Sequence, residues 1–205
     1  PPPPPPPFFS THNPAYEIGV RLVGSEMCIR DRTMTPAQKQ AHDAIATGPR
    51  GSVRGPFAAL LHNPGVADAI QRMGASLRFD GTLPDNLREI AILATGRFWT
   101  AQYEWYAHAK IALDVGVDEK IVNAMAQRRR PSFIKSDEAA VYEFCNELHE
   151  KQSVSDENYA WVVEQLGEAG AVELIALCGY YTIISMTLNV AQTPLPDGEE
   201  LPLRA

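Results

Sequence analysis

Glu104 and His108 stand four residues apart in the stretch REIAILATGRFWTAQYEWYAHAKIA, which runs from Arg88 to Ala112. On a helix, residues at that spacing share one face. A carboxylate beside an imidazole is a workable general acid–base pair. The imidazole exchanges a proton near neutral pH, and the carboxylate orients it or shares its charge. Such catalysis typically contributes about 10²- to 10⁴-fold in rate. Glu89 comes 15 residues before Glu104. On one unbroken helix it would lie roughly 22 Å away, at about 1.5 Å per residue. A turn near Trp99-Thr100 would fold the second helix back and bring the three groups together. The same Glu–His spacing also occurs as plain surface electrostatics worth about 0.2–0.5 kcal/mol. Spacing alone leaves both readings open.

The elements that must hold these residues read as helices throughout. Thr35-Pro36 offers a capping hydroxyl followed by proline at the first helical position, which starts a helix to about Ala46. Gly48-Pro-Arg-Gly51 and Arg54-Gly-Pro56 read as loop. Phe57, Leu60 and Leu61 make a helical turn ended by Asn63-Pro64, and Pro64 to Leu77 is the next helix. Leu83-Pro84 opens a helix whose Leu87, Ile90, Ala91, Leu93, Ala94 and Phe98 recur at three- and four-residue spacing. Thr100 is the expected cap of the helix from Ala101 to about Val115, which Gly116 ends. Glu104 falls near the start of that helix, where free N–H groups favour a carboxylate. Further helices are expected from Asp118 to about Gln127, Ser136 to about Lys151, Ser155 to Leu166, and Glu168 to Ala191. No sustained alternating pattern argues for a strand. The fold class is therefore an all-α helical bundle. Glu89-Ile-Ala-Ile-Leu and Glu173-Leu-Ile-Ala-Leu echo one another, so the bundle carries a faint sign of internal duplication. In the second copy Leu188 and Gln192 stand where Glu104 and His108 would be.

Composition narrows the partners. The chain has 205 residues, 45% of them apolar and 21% charged, with a formal net charge of −7. An acidic chain lacks the basic face that phosphate binding needs, so no nucleic acid partner is expected, and no anionic membrane surface either. Arg128-Arg129-Arg130 precedes Pro131 at an expected helix end, where cations are favourable; a ligand patch is the alternative. The uncharged run from Leu174 to Val190 contains two tyrosines, two threonines, a serine and an asparagine, which suit a core or interface helix better than a membrane span. Cys28, Cys145 and Cys178 are far apart and form no CxxC, which suggests a reducing, cytoplasmic setting. No metal-ligand spacing, phosphate loop or dinucleotide motif is evident, so no metal and no cofactor are expected.

Residues 1–32 differ in character from the remainder. They open with seven prolines, and Leu22-Val-Gly-Ser-Glu-Met-Cys-Ile-Arg-Asp-Arg32 resembles translated sequencing-adapter read-through. The expectation is a disordered or artefactual segment over 1–32 and a single helical domain over 33–205, with the natural chain starting near Met34.

The central stretch resembles the carboxymuconolactone decarboxylase-like family, which includes alkylhydroperoxidase D-like proteins. The redox branch carries E-x11-C-x2-C-x3-H, and the same frame here reads Glu89, Ala101, Glu104 and His108. Both cysteines are replaced, which removes the thiol pair that a disulfide-cycling peroxidase needs. The decarboxylase branch likewise lacks the pair and carries a Tyr-Glu-Trp and His arrangement, as in Tyr103-Glu104-Trp105 and His108. The resemblance continues through Gly55-Pro-Phe57, His62-Asn-Pro64, Leu83 to Glu89 and Leu188 to Pro196, nearly all of 48–198. It implies a carboxy-lyase acting on a small carboxylated lactone in aromatic degradation. His108 would exchange the proton, Glu104 would orient it and Glu89 would be the second relay group. An anionic substrate needs cations, for which Arg97, Arg50 and Arg54 are candidates. Trp99, Tyr103 and Trp105 would wall the pocket. Relatives assemble as trimers or hexamers, so a homo-oligomer is expected, with the last helix as interface. A non-enzymatic helical oligomer or binding module is the alternative.

Overall fold

The computed structural model describes residues 34–204. The expectations for residues 1–32, and Cys28 with them, lie outside the described residues. Within these bounds the protein is all-helical, as its periodicity predicts. The helices are α1 (Pro36–Thr47), α2 (Pro56–Leu60), α3 (Pro64–Ala75), α4 (Asp85–Phe98), α5 (Gln102–Asp114), α6 (Glu119–Ala126), α7 (Ser136–Lys151) and α8 (Asp156–Ala191).

Local chemistry sets half of the helix starts. Thr35 and Gln38 form a reciprocal capping box on α1, and the side chains of Asn63, Asp118 and Ser155 cap α3, α6 and α8. The expected break between Leu166 and Glu168 is a kink inside α8, where Gly167 adopts φ 71°. That conformation strains a residue with a Cβ and is open to glycine. Two boundaries differ from expectation. The α-helix begun at Pro64 stops at Ala75 and widens into a π-helical turn over Ser76–Asp80. Such turns are rare and recur at functional sites. The cap of α5 is Ala101, with no side-chain cap hydrogen bond, in place of Thr100. Thr100 instead takes φ 47°, and its hydroxyl accepts from Arg97 (3.1 Å) and Arg128 (3.0 Å), so it is committed elsewhere.

Helix α4 is the hub. Every residue from Leu87 to Arg97 is buried, because α5, α6, α7 and α8 all pack around it. Its apolar positions join those of α7 and α8 in one core, and a smaller cluster of Ala41, Ile45, Phe57, Leu61 and Ala67 holds α1 to α3 together. By length and composition α8 could cross a membrane. Half of its most apolar window is buried inside the molecule, as in a core helix. The echo between Glu89 and Glu173 does not extend to environment. Glu173 accepts hydrogen bonds from the Thr82 amide (2.9 Å) and hydroxyl (2.7 Å), fixing the loop before α4.

Candidate active site

The reversal after α4 decides where the chemistry sits. Left-handed Thr100 and the Ala101 amide, bonded back to the Gly96 carbonyl at 2.9 Å, turn the chain so that α5 returns along α4. The separation that one straight helix would impose between Glu89 and the α5 residues is thereby abolished. His108 Nδ1 lies 2.7 Å from Glu89 Oε2, and Nε2 lies 3.1 Å from Glu104 Oε1. All three side chains are buried, at 3–5% exposure, so neither ion pair is diluted by bulk water.

Two carboxylates on one imidazole fix its charge. Burial alone would lower the His108 pKa, but the charge and hydrogen bond of Glu104, then those of Glu89, outweigh it and raise the pKa to about 9. At neutral pH both ring nitrogens carry protons and both donate. The edge of the Tyr181 ring system packs against the imidazole, with centroids 5.3 Å apart at 83°, and locks its plane.

His108 and Glu104 line a cavity of about 470 Å³, whereas Glu89 stands behind them. Much of the remaining lining is cationic and aromatic: Arg50, Arg54, Arg78, Tyr103, Tyr180 and Tyr181 all border this space. The Arg50 guanidinium donates to the Tyr180 hydroxyl at 2.9 Å and lies 4.5 Å over the Phe57 ring. Both contacts depend on Gly74. A Cβ there would come within 2.1 Å of the Tyr180 hydroxyl and 2.3 Å of the Arg50 guanidinium. Arg50 Nε and the Tyr181 hydroxyl are buried with no hydrogen-bond partner among the described residues. Buried polar groups are almost always paired, so two unpaired donors on a cavity wall suit a ligand rich in acceptors. Burial raises the Tyr181 pKa well above the usual phenol value, which keeps its hydroxyl a donor.

The candidates drawn from sequence separate into two groups. Glu89, Glu104 and His108 come together, and Arg50, Arg54 and Tyr103 share their cavity. Arg97 and Trp99 are placed elsewhere. Arg97 donates to the carbonyls of Ala126 (3.0 Å) and Arg204 (2.9 Å), tying the C-terminal tail across the α4–α5 turn. The Trp99 indole donates to Thr182 on α8 at 3.2 Å. Trp105 is buried in the main core. Arg78, Tyr180 and Tyr181 were not singled out by spacing. Arg78 reaches the cavity because the π turn redirects the end of α3, and the tyrosines come from α8, some 70 residues beyond His108 in sequence. Among the described residues, no group of three His, Cys, Asp or Glu side chains is arranged to hold a metal ion.

No curated protein matches the chain. Residues 64–141 match the family model described as the Carboxymuconolactone decarboxylase family. That match runs from the start of α3 into α7 and includes Glu89, Glu104 and His108. Over this stretch the chain is similar to the carboxymuconolactone decarboxylase family.

Proposed function

We propose that the protein is an acid–base carboxy-lyase working without a cofactor on a small carboxylated lactone. The observation that carries this reading is the imidazolium of His108, held by Glu89 and Glu104 at the edge of a cavity that three arginines also line. In the proposed reaction the bond from ring carbon to carboxylate breaks heterolytically. CO₂ leaves, and the electron pair moves into the conjugated lactone carbonyl as an enolate. Arg50, Arg54 and Arg78 bind the substrate's anionic oxygens, and the Tyr181 hydroxyl and Arg50 Nε donate to acceptors inside the cavity. His108 and Glu104 share one proton where both line the cavity, and His108 delivers it to the carbon that lost CO₂. Solvent then restores the imidazolium. Glu89 keeps Nδ1–H engaged throughout and fixes the ring. Glu104 lines the cavity and Glu89 does not, which supports a substrate contact for Glu104 and an orienting role for Glu89.

The frame that serves two thiols in the redox branch has Ala101 and Glu104 at the cysteine positions, so Glu89 and His108 serve a carboxylate here. We further propose that a second copy of the chain covers Val172, Ile175, Ile183, Met186 and Val190, an exposed apolar row along α8. Light scattering tests this part, and a monomer at working concentration contradicts it. The lyase reading is tested by CO₂ release from a panel of small carboxylated butenolides, using the wild type and His108→Gln. Release by the wild type with at least a 100-fold loss in the variant is expected. No release from any member of the panel, or full activity without the imidazole, overturns it.

A further inference from the structure

A second cluster of reactive side chains lies outside the cavity. Cys145 on α7 and Cys178 on α8 are buried with their sulfurs 3.5 Å apart. A disulfide needs about 2.05 Å, so closure asks each sulfur to move by under an ångström. His149, one turn after Cys145 on α7, and Thr95 on α4 stand beside Cys178; the Thr95 hydroxyl and His149 Nε2 are 2.9 Å apart. His149 is only half-buried and stacks on the partly exposed Phe98 ring, with centroids 4.9 Å apart. The cluster thus joins a buried thiol pair to the surface through an imidazole.

The two thiols are unequal. A hydrogen bond from Cys145 favours the Cys178 thiolate; burial opposes this, and His149 and Thr95 add to the lowering. The same hydrogen bond and burial push the Cys145 thiol up, so Cys145 keeps its proton. One sulfur is therefore set to attack and the other to follow.

We propose that Cys145 and Cys178 form a second reactive site, a dithiol that a small hydroperoxide converts reversibly to a disulfide. Cys178 attacks the distal peroxide oxygen and the O–O bond breaks. Cys178 becomes a sulfenic acid, and the alcohol or water leaves with the proton. Cys145 then attacks the sulfenic sulfur, water departs, and the disulfide links α7 to α8. The net change is two thiols plus ROOH giving a disulfide, ROH and water, and an external thiol reverses it. Burial of both sulfurs favours oxidants near the size of water over bulky disulfide reagents, and it makes reversal by an external thiol the slower half of the cycle. None of these residues contributes to the cavity that holds His108, so this site stands or falls independently of the lyase reading.

The test treats the intact chain with hydrogen peroxide, alkylates the remaining thiols after unfolding, and maps the peptides by mass spectrometry. Mapping separates Cys28 from the pair. A Cys145–Cys178 linkage that is lost with dithiothreitol is expected. Two alkylated thiols, or a linkage of either cysteine to Cys28, overturns the proposal. The order of attack is read with a sulfenic-acid trap. Cys145→Ser should accumulate trapped Cys178, and trapping of Cys145 in Cys178→Ser instead reverses the roles. For His149→Gln a several-fold slower oxidation with an altered pH profile is expected. An unchanged rate and profile removes His149 as the positioning residue.

Discussion

His108 and His149 each follow an ionisable residue by four positions on a helix, and each reaches across to α4. That residue is Glu104 for His108, with which it pairs; for His149 it is Cys145, while His149 itself stands beside Cys178. His108 is enclosed between two carboxylates and held as a cation. His149 is half open to solvent, rests on an aromatic ring and meets a hydroxyl. One helical spacing thus serves two different settings. What distinguishes them is the charge that α4 presents: Glu89 to one ring and Thr95 to the other. Carboxylates keep a proton on an imidazole, whereas the second setting favours a thiolate nearby.

The largest expected effect of breaking this contrast is at Glu104. Glu104→Gln should lower turnover by about 10²- to 10⁴-fold, since it removes both the charge and the proton-sharing partner on the cavity wall. Glu89→Gln, where the proposed mechanism assigns only ring orientation and charge, should lose about 10- to 100-fold. Steady-state kinetics on a substrate of the wild type checks both, and a larger loss at Glu89 would exchange the assigned roles.

The pH dependence of stability follows next. The folded pKa of His108, about 9, lies above its unfolded value of about 6.5. Its contribution to stability is therefore fully present below pH 6.5, declines between the two values, and is lost above about pH 9. The magnitude is on the order of 3 kcal/mol. Denaturant midpoints measured across this range should fall toward alkaline pH, and less steeply in His108→Gln. An identical slope in the variant would place the dependence elsewhere.

The arginines sharpen the contrast between cavity and scaffold. Arg78→Ala should raise KM about tenfold or more with the fold intact, as expected for a lost charge-assisted hydrogen bond to an anion of about 1.5–3 kcal/mol. Arg97→Ala should cost about 1–3 kcal/mol of stability by orphaning the carbonyls of Ala126 and Arg204, with KM nearly unchanged. Parallel kinetics and unfolding curves separate the two, and a KM effect at Arg97 would return it to the site. The smallest effect is at His149, where glutamine should leave turnover at the His108 site within about twofold, because the two sites share no partner.

Much of this molecule is legible in its residues. Periodicity and caps place the helices within a few positions, and the spacing of Glu104 and His108, with a turn before them, anticipates their convergence with Glu89. Features set by long-range packing were not legible. Thr100 reads as a cap because its type favours one, yet two guanidinium groups claim its hydroxyl and the backbone turns left-handed. Arg97 and Trp99 read as ligands from proximity in sequence, while their side chains point to the C-terminal tail and to α8. Tyr180 and Tyr181 read as polar interruptions in an apolar helix. Their role as cavity wall depends on where α8 lands, which no local pattern encodes.

The charge on His108 is the claim on which the rest depends, and ¹⁵N NMR of the imidazole reads it without any substrate. Both ring nitrogens should show protonated shifts at pH 7.5, with a single titration centred near 9 that moves down in Glu104→Gln. A ring that is already neutral at pH 7.5, titrating at or below 6.5, would contradict the account.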